Sequence, residues 1–169
     1  LRKAIQTFEL AQSSAEILDN IHRDFSLVNC ALGFLYAGDE DRADAALDLV
    51  TDKTQMSSAL VGFARDYWEN ERQDDAMETL QEAHEILKSQ RDFETRDSRA
   101  KNALMASIAA QFAAFGKADR GIEIALEDPD HEDKMAALAQ IAQIQTLQKN
   151  DDLARQTIEL MDEDADRLF

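Results

Sequence analysis

Between Ala103 and Leu126 the chain reads ALMASIAAQFAAFGKADRGIEIAL, and its apolar positions fall into two helical patterns joined by one tight turn. Met105, Ile108, Ala109, Phe112 and Ala113 recur at three- and four-residue steps, the spacing that gathers side chains on one face of a helix. Alanine, the strongest helix former, fills most of the positions between them and lets a neighbouring helix come close. Gly116 suits the left-handed residue that ends many helices. A second apolar pattern begins at once with Gly121, Ile124 and Ala125. Asp128-Pro129 closes it, because proline disfavours a helical residue before it. The stretch predicts a helical hairpin, neither arm of which can bury its apolar stripe alone.

The layout recurs. A small residue stands early in the second arm at Ala43, Ala76, Gly121 and Ala154, with steps of 33, 45 and 33 residues. Twelve positions before each lies another small residue: Ala31, Ala64, Ala109 and Ala142. Cys30, Phe63, Ile108 and Ile141 come immediately before these, and Leu27, Leu60, Met105 and Leu138 come four before. A slot three residues further on holds Phe34, Tyr67, Phe112 and Gln145. Leu47, Leu80, Ala125 and Ile158 follow four residues after the anchors. Regular self-similarity at this period marks a helical-repeat architecture.

In these large apolar, small, aromatic and small slots the chain resembles the tetratricopeptide repeat family, from about Asp24 to Arg167. Three features depart from that pattern. The turn glycine is present at Gly38 and Gly116 but replaced by Glu71 and Lys149, the aromatic slot holds Gln145 in the last hairpin, and the family's proline after the second helix is missing from its usual place. The resemblance implies an all-α fold of antiparallel hairpins stacked as a solenoid, in a right-handed superhelix whose leading helices line the concave face.

Residues 1–20 read as one N-terminal helix, with 21–24 as a turn. Four hairpins follow at about 24–54, 55–95, 99–130 and 131–168, all in one domain. The longer middle step is absorbed by an extended second arm through Ala83, Ile86 and Leu87 and by a charged connector over 91–98. The last arm is expected to end at Met161. The sequence starts at Leu1, inside what looks like half a repeat, so it reads as a piece of a longer protein, and the compartment is poorly constrained, with the cytoplasm slightly favoured.

Charge narrows the partners. A formal net charge of −17 argues against nucleic-acid phosphate, which needs clustered Lys and Arg, and against an anionic membrane surface. No apolar run approaches the length of a membrane span. The single Cys30 excludes an internal disulfide framework and sits in a core slot, where a small buried hydrophobe is the expectation.

Candidate chemistry is sparse. The acidic loop from Glu127 to Asp133 offers many oxygens, but it lacks the glycine on which a calcium loop turns, and helix capping explains its acids. Asp162, Asp164 and Asp166 lack that glycine too. His22, His84 and His131 share no ligand spacing, and no HExxH, GxSxG or glycine-rich phosphate loop occurs. The five methionines read as packing residues. Neither a cofactor, a metal nor catalysis is expected.

The resemblance therefore implies a non-catalytic scaffold that binds a peptide or helix of a partner protein in the groove of the leading helices. The residues placed there are Asn29, Leu32, Leu35 and Tyr36 from the first hairpin, Arg65 and Trp68 from the second, and Gln143 from the fourth. Of these, Asn29 and Arg65 alone suit the carboxylate clamp that some family members use, so Tyr36 and Trp68 are the expected anchors. Aromatic and arginine side chains are the usual hot spots. Packing of Leu32, Leu35 and Trp68 against the N-terminal helix is the plainer alternative. Two further classes stand beside partner binding: self-association through open repeat ends, suggested by Leu168-Phe169, and service as an accessory or regulatory domain of a larger enzyme.

Overall fold

Acidic side chains start several helices by accepting the backbone N–H groups that a first turn leaves without partners. Asp39 accepts from the Arg42 N–H at 3.3 Å, Asp52 from Gln55 at 2.8 Å, and Asp130 from Glu132 and Asp133 at 2.9 and 3.1 Å. In the computed structural model, which describes residues 2–15, 20–89, 98–128 and 130–166, the described residues form nine α-helices and no strand. The charged connector over 91–97, Pro129 and the apolar tail Leu168-Phe169 lie outside the described residues.

The helices are α1 (Arg2–Ala15), α2 (Asn20–Tyr36), α3 (Glu40–Leu47), α4 (Lys53–Glu69), α5 (Gln73–Lys88), α6 (Ser98–Ala114), α7 (Ala118–Leu126), α8 (His131–Leu147) and α9 (Asp151–Asp166). Four tight turns join α2 to α3, α4 to α5, α6 to α7 and α8 to α9. All four close in the same way. The N–H groups of Asp39, Arg72, Lys117 and Asn150 reach back to the carbonyls of Phe34, Tyr67, Phe112 and Gln145, at 2.8–2.9 Å. The preceding residue is left-handed each time: Gly38 and Gly116 at φ 75° and 76°, Glu71 and Lys149 at φ 62° and 63°. This is the Schellman ending of a helix. Glu71 and Lys149 therefore take the conformation of the glycines they replace, at the cost of a crowded Cβ.

The chain forms two compact units, Leu1–Asp92 and Phe93–Phe169. In the first, α2 packs on α1, α3 and α4, and α4 packs on α5. Phe34, Phe63, Leu27, Leu80 and Leu87 are wholly enclosed there. The Phe8 ring crosses Phe34 edge-on at 5.5 Å and lies over Gly33, where a Cβ would collide with it. In the second unit, α6 packs on α7 and α8, and α8 on α9, around Ile108, Phe112, Ile124, Leu138 and Ile141. Each enclosed aliphatic or aromatic side chain contributes about 2 kcal/mol by leaving water. The small anchors Ala43, Ala76, Gly121 and Ala154 are all buried. At Gly121 a Cβ would strike the Ala109 carbonyl, so the missing side chain sets how closely α7 rides on α6.

Two boundaries differ from the sequence expectation. Residues 21–24 are the first turn of α2 rather than a connector, and α9 runs past Met161 to Asp166. Asp24 explains the first difference. Its carboxylate is buried and accepts from the Thr51 N–H at 2.9 Å, the Thr51 hydroxyl at 2.8 Å and the Asp52 N–H at 2.6 Å. Those bonds fasten the start of α2 to the loop between α3 and α4. Burial alone would raise this carboxyl's pKa. The bonds from Asp52, Thr51 and Arg23 together hold it below the ordinary value.

Candidate functional site

Four outward positions on α2 fall on one face: Phe25, Asn29, Leu32 and Tyr36, at steps of four, three and four residues. Phe25 is 60% exposed and Tyr36 64% exposed. The two rings are separated by about 16 Å of helix axis, at 1.5 Å per residue. Soluble proteins scatter exposed apolar groups singly, so two aromatic side chains on one helical stripe stand out. The expected residues take different places around this stripe. Asn29 is exposed, and its amide donates to the Phe25 carbonyl at 2.9 Å. Leu32 is half-buried and lies where a Cβ on Gly62 of α4 would stand. Leu35 is buried. Arg65 is exposed on α4, and Trp68 is half-buried. Gln143 is exposed on α8, in the second unit.

Beside Tyr36, at the C-terminal ends of α2 and α4, lies an open cavity of about 550 Å³. Leu35, Tyr36 and Gly38 border it from the first hairpin, and Asp66, Glu69 and Asn70 from the second; Glu40 and Arg72 complete the rim. The structure thus brings Leu35 and Tyr36 together with Glu69 and with Asp66 and Glu40, two acids that sequence reasoning did not pick out. Their signal was present: neither α2 nor α4 has a basic residue in its last turn, and α4 ends on Glu69. Helix C-termini are electrically negative and usually attract Lys, Arg or His.

Within the rim one cation is already engaged. Arg72 donates to Glu40 at 2.6 Å and to Asp75 at 2.7 Å, and its guanidinium stands 4.3 Å over the Tyr67 ring. The hydrogen bonds from Asp75 and Glu40 make it still more basic than an ordinary arginine. Asp66 behaves oppositely. Burial pushes its carboxyl above the usual range, and repulsion from Glu69 and Glu40 adds to this, against a hydrogen bond from Asn70. Carboxylate charge is therefore held here at a cost.

The second unit differs in its last hairpin. Gln145, in the aromatic slot, is buried, and its Oε1 accepts from the Thr157 hydroxyl at 2.8 Å. The amide is smaller than a ring, and a cavity of about 310 Å³ opens beside it, edged by Ile122, Leu153 and Leu160. Leu147 is 76% exposed at the end of α8.

Cys30 is buried, and that burial raises its thiol pKa. Among the described residues no three His, Cys, Asp or Glu side chains gather as a metal ion would need, and no helix is long and apolar enough to cross a membrane. In the 127–133 loop, Asp128 accepts from the Asp130 N–H at 2.9 Å, Asp130 caps α8, and Asp133 accepts from the Asn102 amide at 2.9 Å. Compared with family models, curated proteins and solved structures, the chain matches none.

Proposed function

We propose that this chain is a non-catalytic scaffold of tetratricopeptide-like hairpins that binds a segment of a partner protein along α2 and the adjoining end of α4. The observation that carries the reading is the exposed stripe from Phe25 to Tyr36, which ends at an open cavity. The repeat assignment is supported by four hairpins with one turn geometry and buried small anchors at matching positions. Aromatic anchors flanked by polar groups are the usual means by which such a face holds a peptide. Trp68 is half-buried, so Tyr36 and Phe25 take the anchoring role in this reading.

The test is site-specific photocrosslinking in cells, with a benzophenone amino acid at position 36 or 25 and, as control, at exposed Leu153. Cross-links from both α2 positions to one discrete segment of another protein are expected. Cross-links to a second copy of the chain would assign the face to self-association instead. Yields no higher than the Leu153 control would reject the site.

A further inference from the structure

The helix end beside Tyr36 has a counterpart in the second unit, and there a side-chain amide of the protein bonds it. Gln148 follows Gln145 by three residues, as Asn70 follows Tyr67. Both residues terminate a leading helix with similar backbone, φ −79° ψ 2° and φ −92° ψ 20°. The Gln148 amide crosses to α6 and donates to the Ala113 and Ala114 carbonyls at 3.2 and 3.1 Å. Those carbonyls belong to the first two residues after Phe112; after Phe34 the same positions are Leu35 and Tyr36. Asn70 is one methylene shorter. Its amide turns back to the Asp66 carbonyl and carboxylate of its own helix, at 2.8 and 3.1 Å. Among the described residues no side-chain donor reaches the Leu35 or Tyr36 carbonyl, and the open cavity stands in that place.

The surroundings changed along with the donor. The positions of Asp66, Glu69 and Glu40 are held in the second unit by Ile144, Leu147 and Ala118. One unit thus meets a negative helix end with its own amide among apolar groups. The other leaves it open and adds three carboxylates, of which only Glu40 is paired with Arg72. Like charges at helix C-termini are unfavourable by themselves, and a cationic donor would relieve them.

We infer that the segment bound on the α2 face is basic, and that it places a lysine or arginine head group in this cavity, over the C-terminal ends of α2 and α4 and between Asp66 and Glu69, with its apolar side chains along Phe25, Leu32 and Tyr36. The inference rests on the scaffold reading and names its partner class by charge complementarity, in keeping with a chain of net charge −17.

A randomised 12-residue peptide library, displayed and selected against the full chain, tests both levels. Peptides carrying Lys or Arg beside apolar residues should be enriched, and their affinity should fall about tenfold in Asp66→Asn/Glu69→Gln, the expectation for a lost charge pair in a part-buried site. Asn70→Gln is the decisive variant. It removes no charge but gives this unit the amide that Gln148 supplies to the other, so it should compete with the peptide and weaken it by a similar factor. Circular dichroism establishes that each variant is folded. Peptides sensitive to Tyr36→Ala but without basic enrichment would overturn the inference and leave the docking face standing. Basic peptides indifferent to Tyr36→Ala and Asn70→Gln would reduce the effect to general attraction by an acidic surface, overturning it too. A selection yielding no binder would reject both readings.

Discussion

The two units answer the same structural problem with different side chains. Each packs one leading helix on the next, α2 on α4 and α6 on α8, and each ends its leading helices with the same left-handed turn. The first unit fills its aromatic slots with Phe34 and Tyr67, keeps charge at the helix ends and leaves a cavity open. The second puts a Gln145–Thr157 pair where the second ring would be and closes the helix end with Gln148. One hairpin backbone therefore carries different chemistry on its faces. Where the first unit tolerates repelling carboxylates, the tolerance is local and costly.

Substitutions that strike the two units unequally break this comparison most sharply. The largest effect is expected from Tyr67→Ala, which removes a buried ring packed on Phe63 and under Arg72 and should cost about 4 kcal/mol in urea unfolding. Gln145→Ala, at the same position of the second unit, should cost about 1.5 kcal/mol, since it empties a smaller slot and strands one Thr157 bond. Equal losses would show that the slot is not what separates the units.

Asp24→Ala comes next, at about 2 kcal/mol, because it leaves part-buried donors of the Thr51–Asp52 loop without their acceptor. Its pH dependence has a definite sign. The folded carboxyl is held below its ordinary 3.8, so its contribution is present above that value and is lost as pH falls through the lower folded value. Trp68, the sole tryptophan, reports the first unit, and its fluorescence during acid titration should lose that step in the variant.

Smaller effects sharpen the comparison. Glu71→Gly and Lys149→Gly should each stabilise by about 0.5–1 kcal/mol, the relief of a left-handed Cβ less the added freedom of the unfolded glycine. Similar gains in both units would mark the turns as common scaffold, and a loss in either would show a role for that side chain beyond the turn. Asp66→Asn should raise the melting temperature slightly at neutral pH and have no such effect in acid. Its carboxyl is raised in the folded state, so the charge opposes folding above the folded value and ceases to do so as the group protonates. A lowered melting temperature at neutral pH would contradict the picture of strained charge at this end of the unit.

Much of the architecture was legible along the chain. Ala43, Ala76, Gly121 and Ala154 located the hairpins because a close helix crossing excludes large side chains, and Phe34, Tyr67 and Phe112 followed at fixed distances from them. Tyr36 was legible as a candidate anchor from its place on the helix. The acidic cavity was not, since Asp66 reads as an ordinary solvated residue of α4 until Gly38 and Leu35 are placed beside it.

The sequence by itself determined helix type, hairpin order and most of the buried slots, with Ile158 exposed instead, because these depend on periodicities of a few residues and on local turn chemistry. It also marked where the pattern broke, at Glu71, Gln145 and Lys149. The tertiary structure alone decided that those breaks leave the turn unchanged, that Asp24 belongs to α2 and holds a loop across the unit, and that Gln148 reaches a neighbouring helix while Asn70 does not. The physical reason is reach. Such contacts join residues about thirty positions apart in the chain, and whether an amide spans the gap depends on one methylene and on how closely two helices pack, which no pattern of polar and apolar letters encodes.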